Sequence, residues 1–215
     1  MNTVIFDLDG TLSDSAEGIV KSINYALSKL GVKEQPVEDL LQYIGPPLNI
    51  IIERLTGKND EEFLLKGIKF FRERYFSIGY MENVLYEGIA ETLKQLVDRG
   101  DILCVATAKR QDIAENVLKY FEIDKYFTQV HGSDLYRKKA DILRDMINDS
   151  TLNDRPMIMI GDRDSDFRAA GEVGMTSLAV RWGYGNEEEL TLATAIVEKP
   201  EDLPEAIAEY AGRVI

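Results

Sequence analysis

Near the start of the chain, Val4, Ile5 and Phe6 lead into Asp7, Leu8, Asp9, Gly10 and Thr11. On an extended chain, residues two apart project to the same side, so the Asp7 and Asp9 carboxylates are brought together against their own repulsion. Later apolar runs also end in groups able to do chemistry. Thr107 closes "ILCVATA", Lys139 opens "KADIL" and Asp162 closes "PMIMIGD", with Asp164 and Asp166 just beyond. Each has an ordinary reading alone: Asp-Gly is a common turn, threonine caps helices, and charged residues near helix starts are usually solvated. Together, four strand ends supply three or more carboxylates, a hydroxyl and an ammonium, which is a catalytic inventory.

The elements that must position these groups are legible as alternating patterns. Strands are expected over 3–9, 102–108, 127–132, 156–162 and 176–182. The continuous apolar character of the first, second and fourth predicts strands buried on both faces, as in a parallel sheet. Helical patterns lie between them in "GIAETLKQLVDRG", "QDIAENVLKYF", "KADILRDMIND" and "DFRAAGEVG". The alternation predicts a doubly wound α/β sheet. Residues 14–83 break it: "SAEGIVKSINYALSKLG", "PLNIIIERLTG" and "DEEFLLKGIKFFRERYFSIGY" read as helices with no strand between. The expected division is a core of residues 1–13 and 84–215 with a helical domain, 14–83, inserted after the first strand. An insertion there is expected to hang over the carboxyl ends of the strands, where open α/β sheets bind ligands.

Composition narrows the chemistry. A net charge of -13 and a pI near 4.6 over 215 residues argue against nucleic acid or an anionic membrane as partner, so an anionic substrate must be attracted locally. No apolar run approaches the roughly 20 residues of a membrane span, and no secretory signal pattern opens the chain; the expected location is cytoplasmic. The single cysteine, Cys104, lies in an apolar run and is expected to be an inert core residue, and one histidine, His131, leaves little for imidazole chemistry. Carboxylates should carry the catalysis.

In order and spacing, "DLDGT", "VATAK", the lysine opening "KADIL" and "GDRDSD" resemble the four motifs of the haloacid dehalogenase-like hydrolase superfamily, over essentially the full length. "IGPPL", "ENVLYEGI" and "RWGYGNEEEL" resemble its phosphoglycolate phosphatase-like branch, and the inserted helices its small helical cap. The resemblance implies a Rossmann-like core and a Mg²⁺-dependent phosphatase forming an aspartyl-phosphate. Asp7 is then the nucleophile and Asp9 the general acid and base. Mg²⁺ offsets the repulsion between a carboxylate and a phosphate dianion, with Asp7, the Asp9 backbone carbonyl and Asp162 as ligands and Asp166 orienting them from behind or through a water. Thr107 and the backbone N–H groups of Leu8 and Ala108 are expected on the phosphoryl oxygens, and Thr11 fixes the turn. Asp164 is left unassigned, with a helix cap as its ordinary reading and contact with the metal left open. Lys139 is preferred to Lys138 as the phosphate-binding lysine because it shares a helical face with Ile142, Leu143 and Met146.

The expected substrate is a small-molecule phosphate monoester, phosphoglycolate-like, a nucleotide or a sugar phosphate, with specificity carried between Asp14 and Asn83. The expected assembly is a monomer or small homo-oligomer. Asp9 argues against a dehalogenase or a phosphate-transferring ATPase, whose counterparts lack an acid there. A phosphosugar mutase is the alternative enzyme, although mutases usually carry an apolar residue where this chain has Thr11. A phosphate-accepting receiver-like module is the non-enzyme alternative, but receivers are shorter and place their aspartate on a later strand. A dinucleotide-binding domain lacks its glycine fingerprint here. His131 and Arg163 are given no direct role, and Tyr43 and Tyr184 are left outside the site.

Overall fold

The computed structural model describes residues 1–133, 137–152 and 154–212. The chain divides into two compact units, Met1–Asp14 with Leu85–Ile215, and Ser15–Val84. The first holds a six-stranded parallel sheet of β1 (Thr3–Phe6), β2 (Ile102–Ala106), β3 (Phe127–His131), β4 (Met157–Gly161), β5 (Thr176–Val180) and β6 (Ala195–Val197). Their order across the sheet is β3-β2-β1-β4-β5-β6, so the connections wind one way from β1 to β3 and the other way from β4 to β6. This is a doubly wound, Rossmann-like α/β core. β1 lies at the reversal, pairing with β2 through Phe6 and Val105 and with β4 through Phe6 and Ile160. Ligands bind at such a reversal, outside the carboxyl ends of the strands.

Burial explains the continuous apolar runs. Val4, Ile5 and Phe6 are fully buried, because helices cover both faces of the sheet. On one face Ile5, Cys104 and Met159 pack with Ile142, Leu143 and Met146 of the helix Lys139–Asn148 and with Ala169 and Ala170 of the helix Asp164–Glu172. The helix Ile89–Asp98 packs against β2 and against the helix Leu203–Tyr210. Each buried side chain of this size contributes about 1.5–3 kcal/mol, so the strand carrying Asp7 is anchored well before its charged end is considered. Cys104 sits in this core with its thiol pushed up to about 12 by burial.

The second unit is helical, as its periodicity predicts. The helix Ala16–Lys29 buries Ile19, Val20, Ile23, Ala26 and Leu27 along one stripe and packs against the helix Glu61–Tyr75, which also contacts the helix Leu48–Thr56. Asp60 caps the Glu61–Tyr75 helix by accepting from the Phe63 N–H at 2.9 Å, supplying one of the partners a helix N-terminus lacks. Glu82 accepts from Arg74 at 2.7 Å and from Lys21 at 3.1 Å. No described helix is long and apolar enough to cross a membrane.

Candidate active site

The chemistry-bearing residues emerge where β1, β2 and β4 end. Asp7 follows β1, and its N–H donates to the Ile160 carbonyl at 2.8 Å, so the Asp7 backbone continues the ladder to β4. Asp162 follows β4. Register alone therefore sets these two carboxylates side by side. Asp166 joins them from the first turn of the next helix: side-chain oxygens of Asp7, Asp162 and Asp166 lie within 4.8 Å of one another, and all three residues are buried.

Lys139 is the counter-charge. Its Nζ lies 3.1 Å from Asp7 Oδ1 and donates to Asp166 Oδ1, with the side chain only 7% exposed. Lys138 is instead the residue before the helix, and its N–H donates to Asp141 at 3.3 Å. Although burial pulls the Lys139 ammonium down, Asp166 and Asp7 hold it above the usual lysine range.

The carboxylates are arranged less like solvated acids than like a held ligand set. Asp166 Oδ2 accepts from the N–H groups of Asp162 at 3.2 Å and Arg163 at 3.0 Å. It thus closes the turn from β4 into the Asp164–Glu172 helix while its other oxygen takes Lys139. Asp162 Oδ1 accepts from the Thr11 hydroxyl at 3.2 Å, and Oδ2 from the Tyr184 N–H at 2.8 Å. Burial pushes the Asp7 carboxyl up to about 6, Lys139 opposing and Asp166 and Asp9 reinforcing the rise. Asp162 is raised well above the carboxylate range by burial, with Asp166 and Asp7 adding to it. Two ionised carboxylates at such spacing repel by about 3 kcal/mol at an effective dielectric near 20, and one lysine cannot neutralise three of them. An all-oxygen, over-charged, buried cluster of this kind is able to hold a divalent metal ion.

Backbone shape makes the cluster possible. Gly10 has φ +84°, and a Cβ there would lie 2.2 Å from Asp162 Oδ2. A Cβ on Gly183 would lie 2.3 Å from the Asp162 Cβ. Any side chain at either position would displace the carboxylate. The turn after β1 is held by the Leu8 carbonyl, which accepts from the N–H groups of Thr11, Leu12 and Ser13. Leu8 itself is fully buried, whereas Ala108 is exposed. Thr107, 1% exposed, gives its N–H to the His131 carbonyl at 3.0 Å, and its Oγ1 accepts from the Lys109 N–H at 3.2 Å. The hydroxyl proton is left to donate elsewhere.

Some features differ from the sequence expectation. Asp166 stands within the carboxylate cluster rather than wholly behind it. Asp164 does not cap its helix; it begins the helix and accepts from Arg168 at 3.1 Å, and Asp166 does the capping. Tyr184, left outside the site, supplies the N–H on Asp162 and donates its hydroxyl to Asp14 at 2.7 Å. Lys109 carries no role in the sequence pattern, yet its Nζ lies 2.8 Å from Asp9 Oδ2. His131 Nε2 meets the Gln129 side chain at 2.7 Å, and Arg163 pairs with Glu189 at 3.2 Å.

The chain is similar to a 5'-nucleotidase from Pseudomonas aeruginosa, 36% identical over 190 residues that cover 87% of this chain and 86% of that one. It is similar to a phosphoglycolate phosphatase from Vibrio parahaemolyticus at 26% identity, over 97% of this chain and 96% of the other. Among solved structures it resembles protein tyrosine kinase A from Mycobacterium tuberculosis, with a TM-score of 0.79 and 31% identity over 96% of this chain and 97% of that one. Residues 4–180 match the family model of the haloacid dehalogenase-like hydrolases, a span that holds Asp7, Thr107, Lys139, Asp162 and Asp166. The chain belongs to the haloacid dehalogenase-like hydrolase family.

Proposed function

We propose that the protein is a Mg²⁺-dependent phosphatase that hydrolyses a small phosphate monoester through an aspartyl-phosphate on Asp7. The observation that carries this reading is the gathering of Asp7, Asp162 and Asp166 within 4.8 Å around a single lysine at the end of the central strands. The compact oxygen donor set fits a small hard cation. Asp7, Asp162 and the Asp9 backbone carbonyl would hold it, and Asp166 would orient them. When bound, Mg²⁺ supplies positive charge to the phosphoryl oxygens and offsets their repulsion of the nucleophile.

The chain's own residues do the rest. An Asp7 carboxylate oxygen attacks phosphorus in line as the ester P–O bond breaks, and the electron pair leaves with the alcohol oxygen. Asp9 gives that oxygen its proton. Water then attacks the same phosphorus, Asp9 takes the water's proton, and the bond from phosphorus to Asp7 breaks to release inorganic phosphate. Lys139 pairs with the nucleophile and the phosphoryl group. The Thr107 hydroxyl and the N–H groups of Leu8 and Ala108 donate to the remaining phosphoryl oxygens.

Relatives named 5'-nucleotidase and phosphoglycolate phosphatase support a nucleotide or a phosphoglycolate-like compound as substrate, with sugar phosphates a third class. The likeness to a structure named protein tyrosine kinase A makes transfer to an acceptor other than water the competing outcome, and a phosphosugar mutase is one form of it. A screen of phosphorylated metabolites with and without EDTA tests the reading. Phosphate released in step with the alcohol and lost on chelation is expected. Activity unchanged by EDTA contradicts the metal, and phosphate moved to a sugar or a tyrosine peptide without release contradicts hydrolysis.

A further inference from the structure

Lys109 is a buried lysine with no part in the chemistry above. Its side chain is 7% exposed, and its Nζ lies 2.8 Å from Oδ2 of Asp9, itself 15% exposed. Asp9 Oδ1 is buried and receives no hydrogen bond among the described residues. The two oxygens of the residue assigned the acid and base role are therefore inequivalent: one is taken by an ammonium and the other has no partner among the described residues.

The position of Lys109 is fixed by its surroundings. Its N–H donates to Thr107 Oγ1 at 3.2 Å, and its carbonyl accepts from the Ser133 N–H at 2.9 Å. The loop after β3 comes so close that a Cβ on Gly132 would lie 2.3 Å from the Gln111 backbone and 2.7 Å from the Lys109 carbonyl oxygen. β2 and β3 are neighbours, and β2 also flanks β1. A chain of backbone contacts thus runs from Gly132 to Lys109, and the Lys109 side chain carries it across to Asp9.

We propose that Lys109 is a positioning residue that holds Asp9 by Oδ2 and leaves Oδ1 as the oxygen that exchanges the reaction proton. The inference rests on the phosphatase reading. It predicts a dependence on the leaving group, because a phenolate departs with little help whereas an alkoxide needs its proton as it leaves. A lysine bound directly to the substrate phosphate would affect both kinds of ester alike.

The test compares wild type, Lys109→Met and Lys109→Arg on p-nitrophenyl phosphate and on an alkyl phosphate, with inorganic phosphate as inhibitor and crystal structures of wild type and K109M. In K109M, kcat/KM for the alkyl ester is expected to fall on the order of 100-fold and for the aryl ester less than about fivefold. Phosphate inhibition is expected to be unchanged, K109R to recover most of the alkyl rate, and Asp9 to shift in the K109M crystal. Equal losses on both esters with weaker phosphate inhibition, no loss on either, or an unmoved Asp9 would overturn the proposal. A wild type inactive on both esters contradicts the phosphatase reading instead, and the position of Asp9 in the two crystals then decides the assignment of Lys109 alone.

Discussion

Asp7 and Asp9 are equivalent in the sequence and differ in the fold. Asp7 is buried against Lys139, Asp162 and Asp166, while Asp9 turns its carboxylate to Lys109. The raised Asp7 carboxyl gives a stability prediction with a definite sign. Its folded value is about 6 against an ordinary 3.8, so the folded state holds this proton more tightly than the unfolded chain. The associated stabilisation is full below pH 3.8 and is lost as pH rises through 6. In EDTA, the stability of wild type relative to Asp7→Asn should fall by about 2–3 kcal/mol between pH 4 and pH 8, at 1.36 kcal/mol per pKa unit. Denaturant unfolding of the two proteins at both pH values checks this; a difference constant with pH would contradict it.

The elements act by holding the site from outside it. Thr11 is fully buried and gives its hydroxyl to Asp162. Thr11→Val keeps the volume and removes the donor, so it should cost about 1 kcal/mol and raise the Mg²⁺ concentration for half-maximal activity about 10–100-fold, read from a metal titration. Gly10→Ala is more severe, because φ is +84° and the new Cβ meets Asp162 at 2.2 Å. A stability loss of at least about 1–3 kcal/mol is expected, visible as a lower Tm. β1, β2 and β4 were legible because they are apolar on both faces. β6 was missed because it is a three-residue edge strand inside "ATAIVEK", too short for a period to register. The Leu203–Tyr210 helix had no assignment either; its proline falls in the first turn, where it is tolerated. At the site, Asp7, Asp9, Thr107, Lys139, Asp162 and Asp166 stand at strand ends and helix starts, positions that pattern can find. Lys109 and the Tyr184 N–H were not legible as partners. One depends on β2 lying beside β1, and the other is a main-chain donor on a loop whose path no side-chain pattern encodes.

At the scale of the molecule, an acidic chain of net charge -13 concentrates part of its surplus in a buried cluster it cannot neutralise alone. Apolar burial along β1 and its neighbours offsets that cost in the folded state, and a bound divalent ion should add to stability by mass action. At a Mg²⁺ concentration 100 times Kd the gain is about 2.7 kcal/mol, or roughly 5–10 °C in Tm for a chain of this size. Differential scanning calorimetry with and without Mg²⁺ measures it. The shift should vanish in Asp162→Asn; its persistence there would place the ion elsewhere. If Asp7 carries the phosphoryl group, the kcat of Asp7→Asn on an aryl phosphate, measured beside a circular dichroism melt, must register it. A loss of at least about 1,000-fold is expected, on the order of 4 kcal/mol in the barrier, with a cooperative melt retained. Turnover within tenfold of wild type would contradict it.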